Sequence, residues 1–164
     1  MIRPPRRATR TQGERESVFS SIVVGTDGSE TATLAVREAV AVAKAVGATL
    51  ELVSAYADIP ESRVRAEARE APEDMQWAVH PRRAVEATLS DAASIAQGEG
   101  VEANTYARQA DPADAILDVA EEQKADLIVV GNKGMAGARR FLLGSVPDKI
   151  SHHAPCSVMI IRTT

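Results

Sequence analysis

Short apolar runs alternate with amphipathic stretches along most of this chain, and that alternation constrains the fold more than any other feature. Ser21-Ile-Val-Val-Gly-Thr-Asp27 reads as a buried strand ending in turn residues, with Ser29 placed to cap the helix that follows. Val36, Ala39, Val40, Ala43 and Val46 recur at steps of three and four, and Gly47 stops this helix before a second strand, Thr49 to Tyr56. Val85, Leu89, Ala92 and Ala96 form the stripe of another helix, closed by Gly98 and Gly100 ahead of a strand from Val101 to Arg108. Asp111 as cap and Pro112 at the first helical position begin a helix expected to bury Ile116, Leu117 and Ala120. A fourth strand, Asp126 to Val130, a short helix from Ser145 to about His153, and a last strand, Ser157 to Arg162, complete the series. From Asp58 to Pro81 the chain is charged, holds three prolines and lacks an apolar face, so it reads as a loop with room for one short helix around Ser62 to Arg69. Met75 and Trp77 are expected to anchor that loop.

Strands that alternate with helices imply an α/β fold, a parallel sheet with helices on both faces, because right-handed crossovers return to the same sheet only that way. Ligands of such sheets bind beyond the carboxyl ends of the strands, where the winding reverses. Two segments are expected to meet there. One is Gly25-Thr-Asp-Gly-Ser29 after the first strand, and the other follows the fourth strand.

That second segment carries Gly131, Gly134, Gly144 and Ser145 in the pattern G-x2-G-x9-G-S. Glycines let a backbone turn bring its N–H groups close to an anion, and a following helix adds its free first-turn N–H groups. Backbone donors recognise phosphate without a lysine, so Lys133, Arg139 and Arg140 are at most auxiliaries. Asp27 reads either as a ligand contact or as a turn and cap residue. His152 and His153 sit where a helix dipole favours a protonated imidazole, which suits a solvated role better than a metal site.

The net charge is −4, yet five arginines against two glutamates make residues 1–20 basic and leave the remainder acidic. An acidic domain is a poor general partner for nucleic acid. We therefore expect a basic disordered tail over 1–20, a single domain over 21–164 and no specific nucleic-acid partner. The longest apolar runs fall far short of the roughly 20 residues that cross a bilayer, so no membrane association is expected. Cys156 is the lone cysteine, which excludes an internal disulfide and fits a reducing cytoplasm. It follows Pro155 at the start of an apolar run, where a buried inert thiol is the ordinary case.

Several motifs together resemble the universal stress protein family, in its nucleotide-binding branch. They are Val-Val-Gly-Thr-Asp-Gly-Ser near the start, Ala125-Asp-Leu-Ile-Val-Val-Gly131, the G-x2-G-x9-G-S loop and Pro155-Cys-Ser-Val-Met-Ile-Ile161, and the resemblance spans residues 21–162. It implies a doubly wound, Rossmann-like fold akin to the adenine nucleotide alpha hydrolases, with five parallel strands in the order 3-2-1-4-5. It also implies adenine nucleotide binding, with magnesium where the ligand is ATP, and homodimers built by pairing the last strands, Ser157 to Arg162. Carried over by position, Thr26 and Asp27 flank ribose and adenine, and the backbone of Val53 pairs with the adenine edge. Gly131 faces the ribose and Gly134 the phosphates, while Gly144, Ser145 and Val146 wrap the phosphates.

One departure from many nucleotide-binding relatives is Pro147, where a Ser, Thr or Ala is usual. Proline removes a first-turn N–H and supplies no hydroxyl. The expected ligand is therefore AMP or cyclic AMP at least as readily as ATP, and some members of the family bind cyclic AMP. No paired carboxylates, Ser-His-Asp grouping or evident base can be placed beside the loop, which favours a regulatory binding module for the stress response over a catalyst. The competing expectation is a slow ATPase or phosphohydrolase that uses Asp27 and bound magnesium. An oxidoreductase is disfavoured, because the first strand is followed by Gly25-Thr-Asp-Gly-Ser29 rather than G-x-G-x-x-G.

Overall fold

A computed structural model describes residues 18–57, 80–132 and 143–163. The expected alternation is present. Strand β1 (Ser21–Gly25) leads to helix α1 (Glu30–Val46), then β2 (Thr49–Tyr56), α2 (Pro81–Gly98) and β3 (Ala103–Gln109). Helix α3 (Pro112–Glu122), β4 (Leu127–Gly131), α4 (Ser145–His153) and β5 (Ser157–Ile161) follow. All strand pairs are parallel, in the order β3-β2-β1-β4-β5. This is the doubly wound sheet the sequence implies, with the winding reversed between β1 and β4.

Local chemistry fixes the helix starts. Ser29 is extended and its hydroxyl accepts from Ala32 N at 3.2 Å, while Asp111 Oδ1 accepts from Ala113 N at 3.1 Å with Pro112 behind it. Gly47 ends α1 at φ 73°, a left-handed turn that glycine adopts without a Cβ penalty. Asp126 fastens the other end of the first strand. Its Oδ2 accepts from Ser20 N at 2.7 Å, Ser20 Oγ at 2.8 Å and Ser21 N at 3.1 Å.

Two cores lie on opposite faces of the sheet. On one side Ile22, Val24, Leu50, Leu52, Leu127 and Val129 pack against Val36, Ala39 and Val40 of α1 and Leu89, Ala92 and Ala96 of α2. On the other, Val23, Val53, Ile128 and Val130 meet Ala113, Ile116, Val119 and Ala120 of α3 and Ile150 of α4. Leu117, expected in this core, is only half-buried, and Val119 takes the central place. Residue 119 lies three positions after 116 and so stays on the inward side, whereas 117 turns about 100° away. The central strands are hidden on both faces, so β1 and β4 read as unbroken apolar runs rather than alternating ones.

One polar group sits inside the second face. Glu51 is 4% exposed, and its carboxylate accepts from Tyr106 Oη at 2.8 Å and from Asn104 Nδ2 at 3.1 Å. Arg108 lies over the Tyr106 ring, 5.6 Å from its centre, and pairs with Glu122. Burial first, and the bond to Glu51 second, push the Tyr106 phenol up to about 12.

Candidate functional site

The strand ends on the carboxyl side of the sheet surround a cavity of about 110 Å³. A single water needs roughly 10–15 Å³ on the same measure, so this is a cleft rather than a packing fault. Gly25, Thr26 and Asp27 form one rim, Val53 and Ala55 of β2 the floor, Pro112 and Ile116 of α3 a wall, and Val130, Gly131, Val146 and Pro147 the far side. It stands at the β1/β4 reversal, where the fold rule places ligands. The structure thus brings together Thr26, Asp27, Val53, Gly131 and Val146, five of the eight positions singled out in the sequence. Gly144 and Ser145 adjoin them as the cap and first residue of α4. Gly134 lies outside the described residues, as do Lys133, Arg139, Arg140, Met75, Trp77 and the greater part of the 58–81 loop.

The first βα turn is held by its own hydrogen bonds. Thr26 is buried, its N–H donates to Val53 O at 2.8 Å, and its hydroxyl accepts from Gly28 N at 3.2 Å. Gly28 has φ 79°, a conformation that strains any side chain, and a Cβ there would also come within 3.1 Å of the Thr88 hydroxyl, so both favour glycine. Asp27 is exposed and its Oδ1 accepts from Ser29 N at 3.0 Å. This carboxylate therefore has a turn-forming role, and Asp27 is also among the residues that line the cleft.

Register decides which main-chain groups of β2 are free. Strand β1 ends at Gly25, opposite Val53, and the Val53 oxygen is taken by Thr26. Ala55, two residues on, directs its main chain to the same side, past the end of β1, and lines the cavity. The open hydrogen-bonding edge of the cleft thus belongs to Ala55 rather than Val53. Ala55, Pro112 and Ile116 were not among the site residues expected from the sequence, which gave Pro112 and Ile116 only as the start and the buried face of a helix; the Asp-Pro cap offered the local signal, since it marks a helix start at a strand end.

At the opposite side α4 begins with Gly144 in extended conformation and no side-chain cap. Gly144 N donates to Asn132 O at 3.0 Å, and the first helical bond is Asp148 N to Gly144 O at 3.0 Å. Pro147 has no N–H and its ring is buried in the cavity wall. That leaves the amides of Ser145 and Val146 as the first-turn donors, and no described residue accepts from either. Such a helix start carries partial positive charge and suits an anion. No described lysine or arginine lines the cavity, and Lys149 is spent on Asp114 at 2.7 Å and Asp111 at 3.4 Å. Among the described residues no group of three or more His, Cys, Asp or Glu side chains could hold a metal ion.

His152 and His153 close α4, with His152 Nδ1 2.8 Å from Asp148 O. Cys156 is half-buried, less hidden than the apolar run suggested, and burial first and Asp126 second push its thiol up, away from the reactive thiolate. No helix among the described residues is long and apolar enough to cross a membrane.

Comparison with known proteins agrees with the architecture. The chain matches the universal stress protein family over residues 19–162. Universal stress protein Rv1636 of Mycobacterium tuberculosis is 37% identical over 150 residues, covering 90% of this chain and 99% of that protein. A universal stress protein crystallised in complex with cAMP is 30% identical, with a TM-score of 0.70, covering 90% of this chain and 100% of the other. The universal stress protein of Archaeoglobus fulgidus in complex with dAMP is 27% identical, with a TM-score of 0.61 and coverage of 88% and 99%. With sheet order, family match and near full-length relatives in accord, the chain belongs to the universal stress protein family.

Proposed function

We propose that this protein is an adenine-nucleotide-binding regulatory module of the stress response, holding the base and ribose against Thr26, Asp27, Val53, Ala55 and Gly131. The phosphate end is taken by the start of α4, through Ser145 and Val146, with Gly144 setting the cap and Gly134 contributing from the preceding segment. The observation that carries this reading is a cleft at the β1/β4 reversal whose mostly apolar lining reaches Val146 at the start of α4, where no described residue accepts from the Ser145 and Val146 amides. Relatives solved with cAMP and with dAMP support the adenine nucleotide class.

The ligand is a short adenine nucleotide, AMP or cyclic AMP, bound at least as well as ATP. Pro147 leaves two first-turn donors where an ordinary residue would leave three, which limits the grip on a longer phosphate chain. Magnesium would enter only with ATP. Residues 21–164 act as the one domain, with the basic stretch 1–20 as a tail, in the cytoplasm. Two copies pair through β5, an outer strand whose Ile160 is 38% exposed; an open edge of this kind is stabilised by a partner strand.

Calorimetric titration with ATP, AMP and cyclic AMP tests the reading. Binding of AMP or cyclic AMP no weaker than ATP is expected. ATP tenfold tighter than both would defeat the short-nucleotide assignment, and no binding of any of the three would defeat the whole reading. Multiple turnovers of phosphate release, lost in Asp27→Ala, would instead make the protein an ATPase.

A further inference from the structure

Asn132 is the first residue after β4, and four hydrogen bonds tie it to two distant parts of the chain, the cap of α4 and the end of β5 with the residues just after it. Its N–H donates to Ile161 O at 2.8 Å, which carries the β4/β5 ladder one step past the strand ends. Its carbonyl oxygen accepts the N–H of Gly144 at 3.0 Å. Its side-chain Oδ1 accepts both the N–H and the hydroxyl of Thr163, each at 2.8 Å. Gly144 is the cap of α4, so the position of the Ser145 and Val146 amides is set by the Asn132 carbonyl, and Asn132 is in turn fixed by Ile161 and Thr163.

We propose that Asn132 is a positioning residue for the phosphate end of the cleft, using Thr163 from beyond β5 to brace the start of α4. This rests on the nucleotide reading above and names a device within the same site. An amide oxygen suits the task because it accepts two hydrogen bonds at once, and Asn132 stands beside the lining residue Gly131 without lining the cavity itself. The base and ribose are held by β1, β2, α3 and Gly131 of β4; the Asn132 side chain bonds to Thr163 and to none of these, so its bracing bears on the anion.

The test compares AMP with adenosine, which lacks the phosphate. In Asn132→Ala, AMP affinity is expected to fall about fivefold, the equivalent of one hydrogen bond's restraint, with adenosine affinity unchanged. Thr163→Val removes one of the two bonds, so it is expected to weaken AMP by a smaller factor and to add nothing on top of Asn132→Ala. Equal losses for AMP and adenosine, or additive effects of the two substitutions, would overturn the proposal; so would wild-type AMP affinity in both variants. Failure of the wild-type protein to bind AMP and adenosine alike would overturn the nucleotide reading itself, an outcome distinct from the others. Should Asn132→Ala not fold, Thr163→Val alone decides through the AMP-to-adenosine ratio.

Discussion

A Cβ placed on Gly25 would lie 2.3 Å from Cδ1 of Ile116, far inside van der Waals contact. Both residues line the cleft, so the glycine exists to let an α3 side chain pass over the end of β1. Gly25→Ala is expected to force the Ile116 tip out of its place and into the cavity. Stability should drop by about 1–3 kcal/mol, the usual range for an overpacked site, as read by urea unfolding. AMP affinity should fall with it, and Gly25→Ala combined with Ile116→Val, which shortens that side chain, should recover part of both. Unchanged AMP binding in Gly25→Ala would show that this wall of the cavity is not where the ligand lies.

Pro147 offers a gain-of-function test. Pro147→Ala restores the missing first-turn N–H beside the Ser145 and Val146 amides. One hydrogen bond to a charged group is worth enough to raise ATP affinity relative to AMP by about tenfold. The measurement is the ratio of the two dissociation constants in each protein. A ratio that does not move would separate Pro147 from ligand choice.

Tyr106 and Glu51 predict an alkaline limb of stability. The phenol keeps its proton in the folded chain up to about 12, above its ordinary value of 10, because it is buried and donates to the Glu51 carboxylate. Raised in the folded state, it contributes stability that is fully present below pH 10 and disappears as pH rises toward 12. The near-ultraviolet titration should resolve one late phenolate, missing in Tyr106→Phe. At neutral pH that variant leaves Glu51 without its closest donor and should be less stable by about 1–3 kcal/mol.

Asp126 predicts the acid limb. The N–H of Ser20, then its hydroxyl, then the N–H of Ser21 hold this carboxyl below the usual carboxylate range. A lowered value in the folded state means stability present above about pH 4 and lost as pH falls through the folded value. Asp126→Ala should cost about 1 kcal/mol at neutral pH, since the released donors of residues 20 and 21 can turn to water. The gap between variant and wild type should close in acid, as followed by urea unfolding across pH. A gap that persists below pH 2 would mean that the three bonds do not depend on the charge.

Sequence alone determined the series of elements, the caps at Ser29 and Asp111, the parallel sheet and the end of it where the cleft opens. These are local signals. Apolar periodicity reports which face of a strand or helix turns inward, and caps and glycines report where an element stops. The glycine pattern after β4 was legible for the same reason, although one of its members, Gly134, lies outside the described residues.

Only the tertiary structure decided which main-chain groups are left over. Val53 and Ala55 have the same parity on β2, yet Val53 spends its oxygen on Thr26 while Ala55 does not, because β1 stops at Gly25. Neither the length of β1 relative to β2 nor the approach of Ile116 to Gly25 is encoded in any local window of sequence. The same holds for Asn132, whose partners are 12, 29 and 31 residues away, and for Glu51, whose donors come from β3. Hydrogen-bond availability is a property of how strands are registered against one another, and register is fixed by packing two helical layers on one sheet rather than by the residues of any single element.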